Sequence, residues 1–282
     1  MAITRASLGE LVGRLHSVPS LPEVVTQITK AVEEPTANAR QISDLVIKDA
    51  AIAAKMLRMV NSVFYGLKDP VRDLEQAVVI LGFKTIRSIA LSVGVLNAFQ
   101  QQNACFNMRA YWTHTAVSAG IGRFVASRAG VMDGDLAFLA GLLRTIGRLV
   151  LAQNAPEETR AIMAVAQEFA LPFHRAAREV IDSDDAEIGA WLCARWELEP
   201  ALVCAVRDQH RLSDAEFPIP IALGRFCDHL LALKHLRAPG DHHIPQLDPG
   251  VWVPLGLDKT ALVELVSAVN DEVEKAKQLL LN

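Results

Sequence analysis

The sequence predicts an all-α protein, and three observations carry that expectation. Apolar residues recur at three- and four-residue intervals along nearly the whole chain, the period of a helix with one buried face. Helix-start signals, a Ser, Thr, Asp or Asn followed three residues later by Glu or Gln, return several times. No run of period-two alternation stands between turn signals, so no sheet is expected.

Taken in order, Ser7 and Glu10 make a capping box ahead of Leu8, Leu11, Val12 and Leu15. Pro19 and Pro22 interrupt that helix, and Pro22 can open the next one, which buries Val25, Ile28 and Val32 and stops before Pro35. Asn38 with Gln41 starts a short helix through Ile42, Leu45 and Val46. Asp49 caps another that carries Ile52, Ala53, Met56, Leu57 and Val60. Asp73 with Gln76 caps a fifth that ends near Gly82, and Thr85 to Phe99 continues with Ile86, Ile89, Ala90, Val93 and Leu96.

The polar stretch Gln100–Phe106 is the expected boundary, dividing the chain into 1–103 and 104–282. Beyond it the spacing predicts helices over Met108–Ser127, Asp135–Ala152, Pro156–Phe169 and Phe173–Ile181. Further ones are expected over Asp184–Trp196, Pro200–His210, Pro220–His235 and Asp258–Leu280. Asp184 and Glu187 form a second capping box. Ala238–Leu257, rich in proline and glycine, reads as an ordered loop or lid. The last helix carries a stripe of Leu262, Leu265, Val266, Val269 and Val273, suited to packing at home or to self-association.

Composition narrows the function. Of 282 residues, 51% are hydrophobic and 21% charged, enough for a large core and against disorder. A net charge of −4 with scattered Lys and Arg gives no footprint for nucleic acid, so none is expected as a partner. Cys105, Cys193, Cys204 and Cys227 share no metal-binding spacing and read as reduced thiols of a cytoplasmic protein. The N-terminus lacks an apolar signal core. The most apolar stretch, Ile89–Phe99, is shorter than the roughly 20 residues that span a bilayer, so no membrane association is expected.

Several segments together resemble the HDOD family, helical relatives of the HD phosphohydrolases found in bacterial signalling. They are Val18-Pro19-Ser20-Leu21-Pro22, Lys48-Asp49-Ala50, Asn61-Ser62-Val63-Phe64-Tyr65-Gly66, Leu74-Glu75-Gln76-Ala77 and Leu81-Gly82-Phe83. Gly141-Leu142-Leu143 with Ile146-Gly147, and Gly189-Ala190-Trp191-Leu192 with Trp196, complete the set. The resemblance covers about Leu8 to Leu231. It implies a multi-helical HD-like fold of two packed helical subdomains, the second, 104–282, carrying a C-terminal extension.

By the same resemblance, an HD hydrolase would hold a divalent metal with a His, an adjacent His-Asp pair and a distant Asp. The metal would polarise a phosphoryl oxygen and activate water. This chain contains no His-Asp dipeptide, and Arg144-Thr145 follows Gly-Leu-Leu where that pair would stand. Arginine keeps its proton and opposes a cation. His114 falls where the family's first histidine would, Asp185 replaces another, His210 ends a segment where histidines are usual, and Asp228 matches the terminal aspartate. No metal, cofactor or catalytic residue is therefore expected.

His114, Arg144, Thr145, Asp185, His210 and Asp228 form a remnant pocket with two readings. One is an anion or nucleotide site in which Arg144 grips phosphate. The other, favoured here, is an internal ion pair of Arg144 with Asp185 or Asp228 and hydrogen-bonded histidines. A partner surface is a further candidate, made by Pro19, Leu21 and Pro22 with Phe64 and Tyr65, although packing within the chain explains those residues as well.

Other apparent sites yield to simpler readings. His242-His243 fits a solvated turn, Ser62 lacks a base and follows a helix-capping Asn61, His16 and Glu23 merely flank a turn, and Gly130–Gly141 is no phosphate loop. The expected function is a non-enzymatic module of bacterial signalling that binds a protein partner or a small ligand such as a nucleotide. Alternatives are a metal-dependent phosphohydrolase or cyclic-dinucleotide phosphodiesterase with a displaced site, and a metal-independent nucleotide sensor.

Overall fold

The computed structural model describes Gly13 and residues 18–99, 105–211, 216–241 and 249–281. The helix expected through Leu8 and Leu15, together with His16, His242 and His243, lies outside the described residues. Among those described, every regular element is helical, as the apolar spacing predicts. The chain forms two compact units. One holds the described residues of 19–101 and 274–282, and the other those of 1–18 and 102–273. The final turns of the last helix, from Glu274, thus group with the N-terminal unit rather than with the residues preceding them.

In the first unit, α1 (Glu23–Glu33), α2 (Ala39–Ile47) and α3 (Ala50–Val60) pack against α4 (Leu74–Ala98). Their starts are set locally. The side chains of Asn38, Asp49 and Asp73 accept hydrogen bonds from the backbone N–H groups of Gln41, of Ala51 and Ile52, and of Gln76. Pro22 precedes α1 with an extended ψ of 140°, so the helix starts one residue later than expected, and the Pro22 carbonyl accepts from Val25 and Thr26. Within α4, Gly82 (φ 81°, ψ 165°) breaks the helix, as the separate elements ending near Gly82 and starting at Thr85 anticipate. α4 has the length and hydropathy of a membrane span, but it carries this kink and most of its apolar window is buried in the protein.

The family-like segment after α3 has a structural task. Asn61 Nδ2 donates to the Val71 carbonyl at 2.9 Å, while its Oδ1 accepts from the Val71 N–H at 2.8 Å, closing the intervening loop. Ser62 Oγ donates to the Met59 carbonyl at 2.7 Å, so its hydroxyl serves the helix end. Of the residues expected at a partner surface, Leu21 lies against Gly94, where an added Cβ would approach its Cδ2 to 3.1 Å. Pro19, Pro22, Phe64 and Tyr65 are half-buried, and the Phe64 and Tyr65 rings meet edge to face at 5.1 Å.

The second unit is built on α5 (Met108–Ala129) and α6 (Gly134–Leu143), which pack side by side. Next come α7 (Ile146–Asn154), α8 (Pro156–Glu168), α9 (Phe173–Val180), α10 (Asp185–Arg195), α11 (Pro200–Arg207) and α12 (Pro218–Leu233). The single helix expected over Asp135–Ala152 is in fact two, separated at Arg144 and Thr145. Its apolar pattern runs on, with no Gly, Pro, Asn or Asp at the break itself, so the break has no strong local signal.

Two long-range contacts account for that break. Gln209 Nε2 donates to the Arg144 carbonyl, freed at the break, at 3.0 Å. Gly147 lets α7 touch α10, since a Cβ there would fall 1.9 Å from the Asp185 carbonyl oxygen and 2.8 Å from Gly189 N. Asp184 caps α10 by accepting from the Glu187 N–H, and Arg178 pairs with both acids.

The expected loop or lid at 238–257 includes a short 3₁₀ turn, Pro249–Val251, and a four-residue helix, α13 (Trp252–Leu255), which bury Val251 and Leu255. In α14 (Lys259–Leu281) the stripe residues Leu265, Val269 and Val273 are buried within the chain. Val266 is 45% exposed and stands apart from them.

Candidate functional site

All six residues expected at the remnant pocket lie in the second unit, five of them around one cavity of about 470 Å³. The sixth, Asp185, sits behind its wall. The elements bring them together as follows. Arg144 ends α6, Thr145 starts the turn into α7, His114 lies on α5 and Asp228 on α12. Asp185 opens α10, where the Gly147 contact presses it close, and His210 follows α11.

Arg144 is 5% exposed and is held by Asp228. Its Nε lies 3.0 and 3.2 Å from the two carboxylate oxygens, and its Nη2 lies 2.5 Å from Oδ2. Gly224 makes room for it, since a Cβ there would sit 2.2 Å from Arg144 Nη1. Of the two acids expected to satisfy Arg144, the structure selects Asp228.

Asp185 instead pairs with Arg148, a residue the sequence reading passes over. Arg148 Nε donates to Asp185 Oδ2 at 2.8 Å, Nη1 to the Pro239 carbonyl at 2.8 Å, and Nη2 reaches Asp241 Oδ2 at 2.9 Å. Its guanidinium also lies over the Phe173 ring, 4.5 Å from the centroid. Arg148 is 4% exposed and Asp185 1%, so this is a buried charge network. Burial by itself would raise the Asp185 pKa; the Arg148 guanidinium and His210 outweigh it and hold the carboxyl well below the usual carboxylate range. A signal for Arg148 existed in its spacing, four residues after Arg144. Its acidic partners, 37 and 93 positions further along, had none.

Of the two histidines expected to be hydrogen-bonded, His114 is bonded through one ring nitrogen. His114, 3% exposed, places Nδ1 2.8 Å from the Leu236 carbonyl, so Nδ1 carries the proton and donates. Its Nε2 is buried with no hydrogen-bond partner among the described residues. Burial lowers its pKa, which keeps the ring neutral. His210 Nε2 stands 3.8 Å from Asp185 Oδ1, beyond hydrogen-bond range, and both atoms are likewise buried without partners.

The His210 ring stacks on His174 at 3.7 Å with 17° between planes. Burial, then the neighbouring His210, brings the His174 pKa down to about 3. Thr145 Oγ1 donates to the Tyr111 hydroxyl at 3.2 Å and so fixes the turn rather than facing a reactant.

A divalent metal does not fit this donor set. Asp228, Asp185 and Asp241 each face a guanidinium, and two fixed positive charges stand within the site. Among the described residues, no group of three or more His, Cys, Asp or Glu side chains is placed to hold an ion.

Comparison with known proteins agrees with the fold. An HDOD domain protein of unknown function from Geobacter sulfurreducens superimposes with a TM-score of 0.84 at 20% identity, covering 97% of each chain. A candidate phosphohydrolase from Shewanella amazonensis SB2B gives 0.76 at 23% identity over 95% of this chain and 97% of that one. A protein of unassigned role from Treponema pallidum (strain Nichols) is 27% identical over 205 residues, 72% of this chain; the chain spans 39% of that relative's length. The HDOD domain itself matches residues 18–212, the greater part of the sequence. The chain, helical in every regular element among its described residues, belongs to the HDOD domain family.

Proposed function

We propose that this HDOD protein is a non-catalytic module of bacterial signal transduction, acting in the cytoplasm by binding a protein partner or a small ligand. One observation carries the reading: the carboxylates of the HD-like site are neutralised by the protein's own cations, Arg144 on Asp228 and Arg148 on Asp185 and Asp241. Metal-assisted hydrolysis of a phosphoester needs an ion to polarise the phosphoryl oxygen and to lower the pKa of the attacking water. A guanidinium supplies charge but cannot generate hydroxide. Its place at Asp228 removes a carboxylate that an ion would need.

The name of the Shewanella relative, a candidate phosphohydrolase, motivates the competing reading, but at 23% identity that likeness extends to fold alone. Elemental analysis of the purified chain, combined with turnover assays on generic phosphoesters and cyclic dinucleotides, separates the two. The proposal expects substoichiometric metal and no hydrolysis above background. Stoichiometric metal with activity abolished by a chelator would overturn it. For a protein partner, the half-buried Phe64 and Tyr65 beside Val63, which is 61% exposed, form the surface to test first.

A further inference from the structure

The chain leaves α12 through a turn that favours glycine but contains none. His235 sits there at φ 58°, in the left-handed region, and the Leu236 N–H closes back on the Leu231 carbonyl at 2.9 Å. The backbone then runs along the cavity and lends it Arg237, Ala238 and Asp241 as lining. At Gly240 it lies flat against α9. A Cβ there would stand 2.7 Å from Phe173 Cδ2, in a backbone whose φ is already 91°.

What holds this segment is polar and comes from three other helices. The Leu236 carbonyl accepts from His114 Nδ1 on α5, and the Pro239 carbonyl accepts from Arg148 Nη1 on α7, each at 2.8 Å. Asp241 Oδ2 meets Arg148 Nη2 at 2.9 Å, while its Oδ1 accepts from the Phe173 N–H at 2.8 Å. The apolar grip is slight, since Ala238 alone of residues 235–241 is buried. Segments with few buried apolar contacts open locally, at less cost than global unfolding.

The contacts are also placed so that releasing them spares the helices. Arg148 keeps Asp185 through Nε and its seat over the Phe173 ring once Pro239 and Asp241 withdraw. The Phe173 N–H belongs to the first turn of α9, where no acceptor exists within the helix, so losing Asp241 breaks no helical bond. His114 contributes a side chain, again outside any helix ladder.

We propose that residues 235–241 form a strap that lifts as one piece, turning at His235, and so removes a wall of the cavity while the helices of the second unit stay folded. The inference goes beyond the non-catalytic reading and holds whatever chemistry the cavity serves.

Hydrogen exchange followed by NMR on the full chain tests it through two protons on different helices, the Phe173 amide of α9 and the His114 Nδ1–H of α5. The amide of Val117, fully buried within α5, is the reference. In the wild type both strap-held protons exchange through an opening that low urea leaves unchanged, because little surface is exposed, whereas Val117 exchange rises with urea. Gly240→Ala raises both strap rates together by about tenfold or more and leaves Val117 as it was.

If both protons exchange only at the rate of Val117 and share its urea dependence, the strap opens only with the whole unit and the proposal is overturned. It is overturned equally if Gly240→Ala frees the Phe173 amide while the His114 proton keeps its wild-type rate, because α9 is then fraying by itself. The wild-type urea series decides the first point whether or not the variant folds.

Discussion

Replacing Arg148 by methionine gives the sharpest perturbation of the central network. The variant keeps most of the apolar stem and removes the guanidinium. It thereby loses the 2.8 Å contact to Asp185, the 2.9 Å contact to Asp241, the hydrogen bond to the Pro239 carbonyl and the stacking on Phe173. Asp185 is 1% exposed and cannot recover these interactions from water. Removing one partner of a buried pair costs about 3–5 kcal/mol, a large share of the roughly 5–15 kcal/mol that holds a domain together. At about 2–4 °C per kcal/mol for a unit of this size, the melting temperature falls by roughly 6–20 °C.

The cost depends on pH in a definite direction. In the wild type the Asp185 pKa is depressed, so its contribution is present above the unfolded carboxylate pKa and is lost as pH falls through that value toward the folded one. In the variant, burial without a cation raises the same pKa, and protonation then relieves the stranded charge. The gap between wild type and variant should therefore be widest near neutrality and narrow below about pH 4. Urea titrations of wild type, Arg148→Met, Asp185→Asn and the double variant, at pH 7 and pH 4, measure it. A single-variant loss under about 0.5 kcal/mol, or strict additivity in the double variant, would refute the buried-network account.

Three further outcomes follow from other parts of the structure. Gly224→Ala should destabilise the second unit by about 1–3 kcal/mol in urea, because its Cβ would displace Arg144 from Asp228. Asn61→Ala removes both hydrogen bonds to Val71 and should cost about 1–3 kcal/mol, read by the urea midpoint at unchanged slope. His174 should stay neutral until near pH 3 in an NMR titration. Because the unfolded chain takes up that proton near its ordinary value of about 6.5, this histidine makes stability decline as pH falls below 6.5.

Much of the helical plan was legible because its determinants are local. Asn38, Asp49, Asp73 and Asp184 each sit two or three residues from the N–H groups they cap, and Gly82 carries its own left-handed φ. The break at Arg144 was not legible, because what closes it, Gln209, lies 65 residues away and the apolar pattern gives no pause. The same distance effect governs the site. The missing His-Asp dipeptide and charge balance narrow the partner of Arg144 to Asp185 or Asp228, and only the fold chooses Asp228. Asp185 finds Arg148 only because Gly147 lets two helices touch. The unpaired Nε2 of His114 depends on where the Leu236 carbonyl falls, a matter of tertiary position that no spacing encodes.

The central claim is that the protein's own arginines stand where a hydrolase of this fold would need an ion. Titrating manganese(II) into the full chain and following the electron paramagnetic resonance signal of the aquo ion tests it directly. The account predicts that the signal grows as in buffer alone, with no stoichiometric loss. Disappearance of about one equivalent per chain, reversed by a chelator, would show that the carboxylates remain available to a metal and would contradict it.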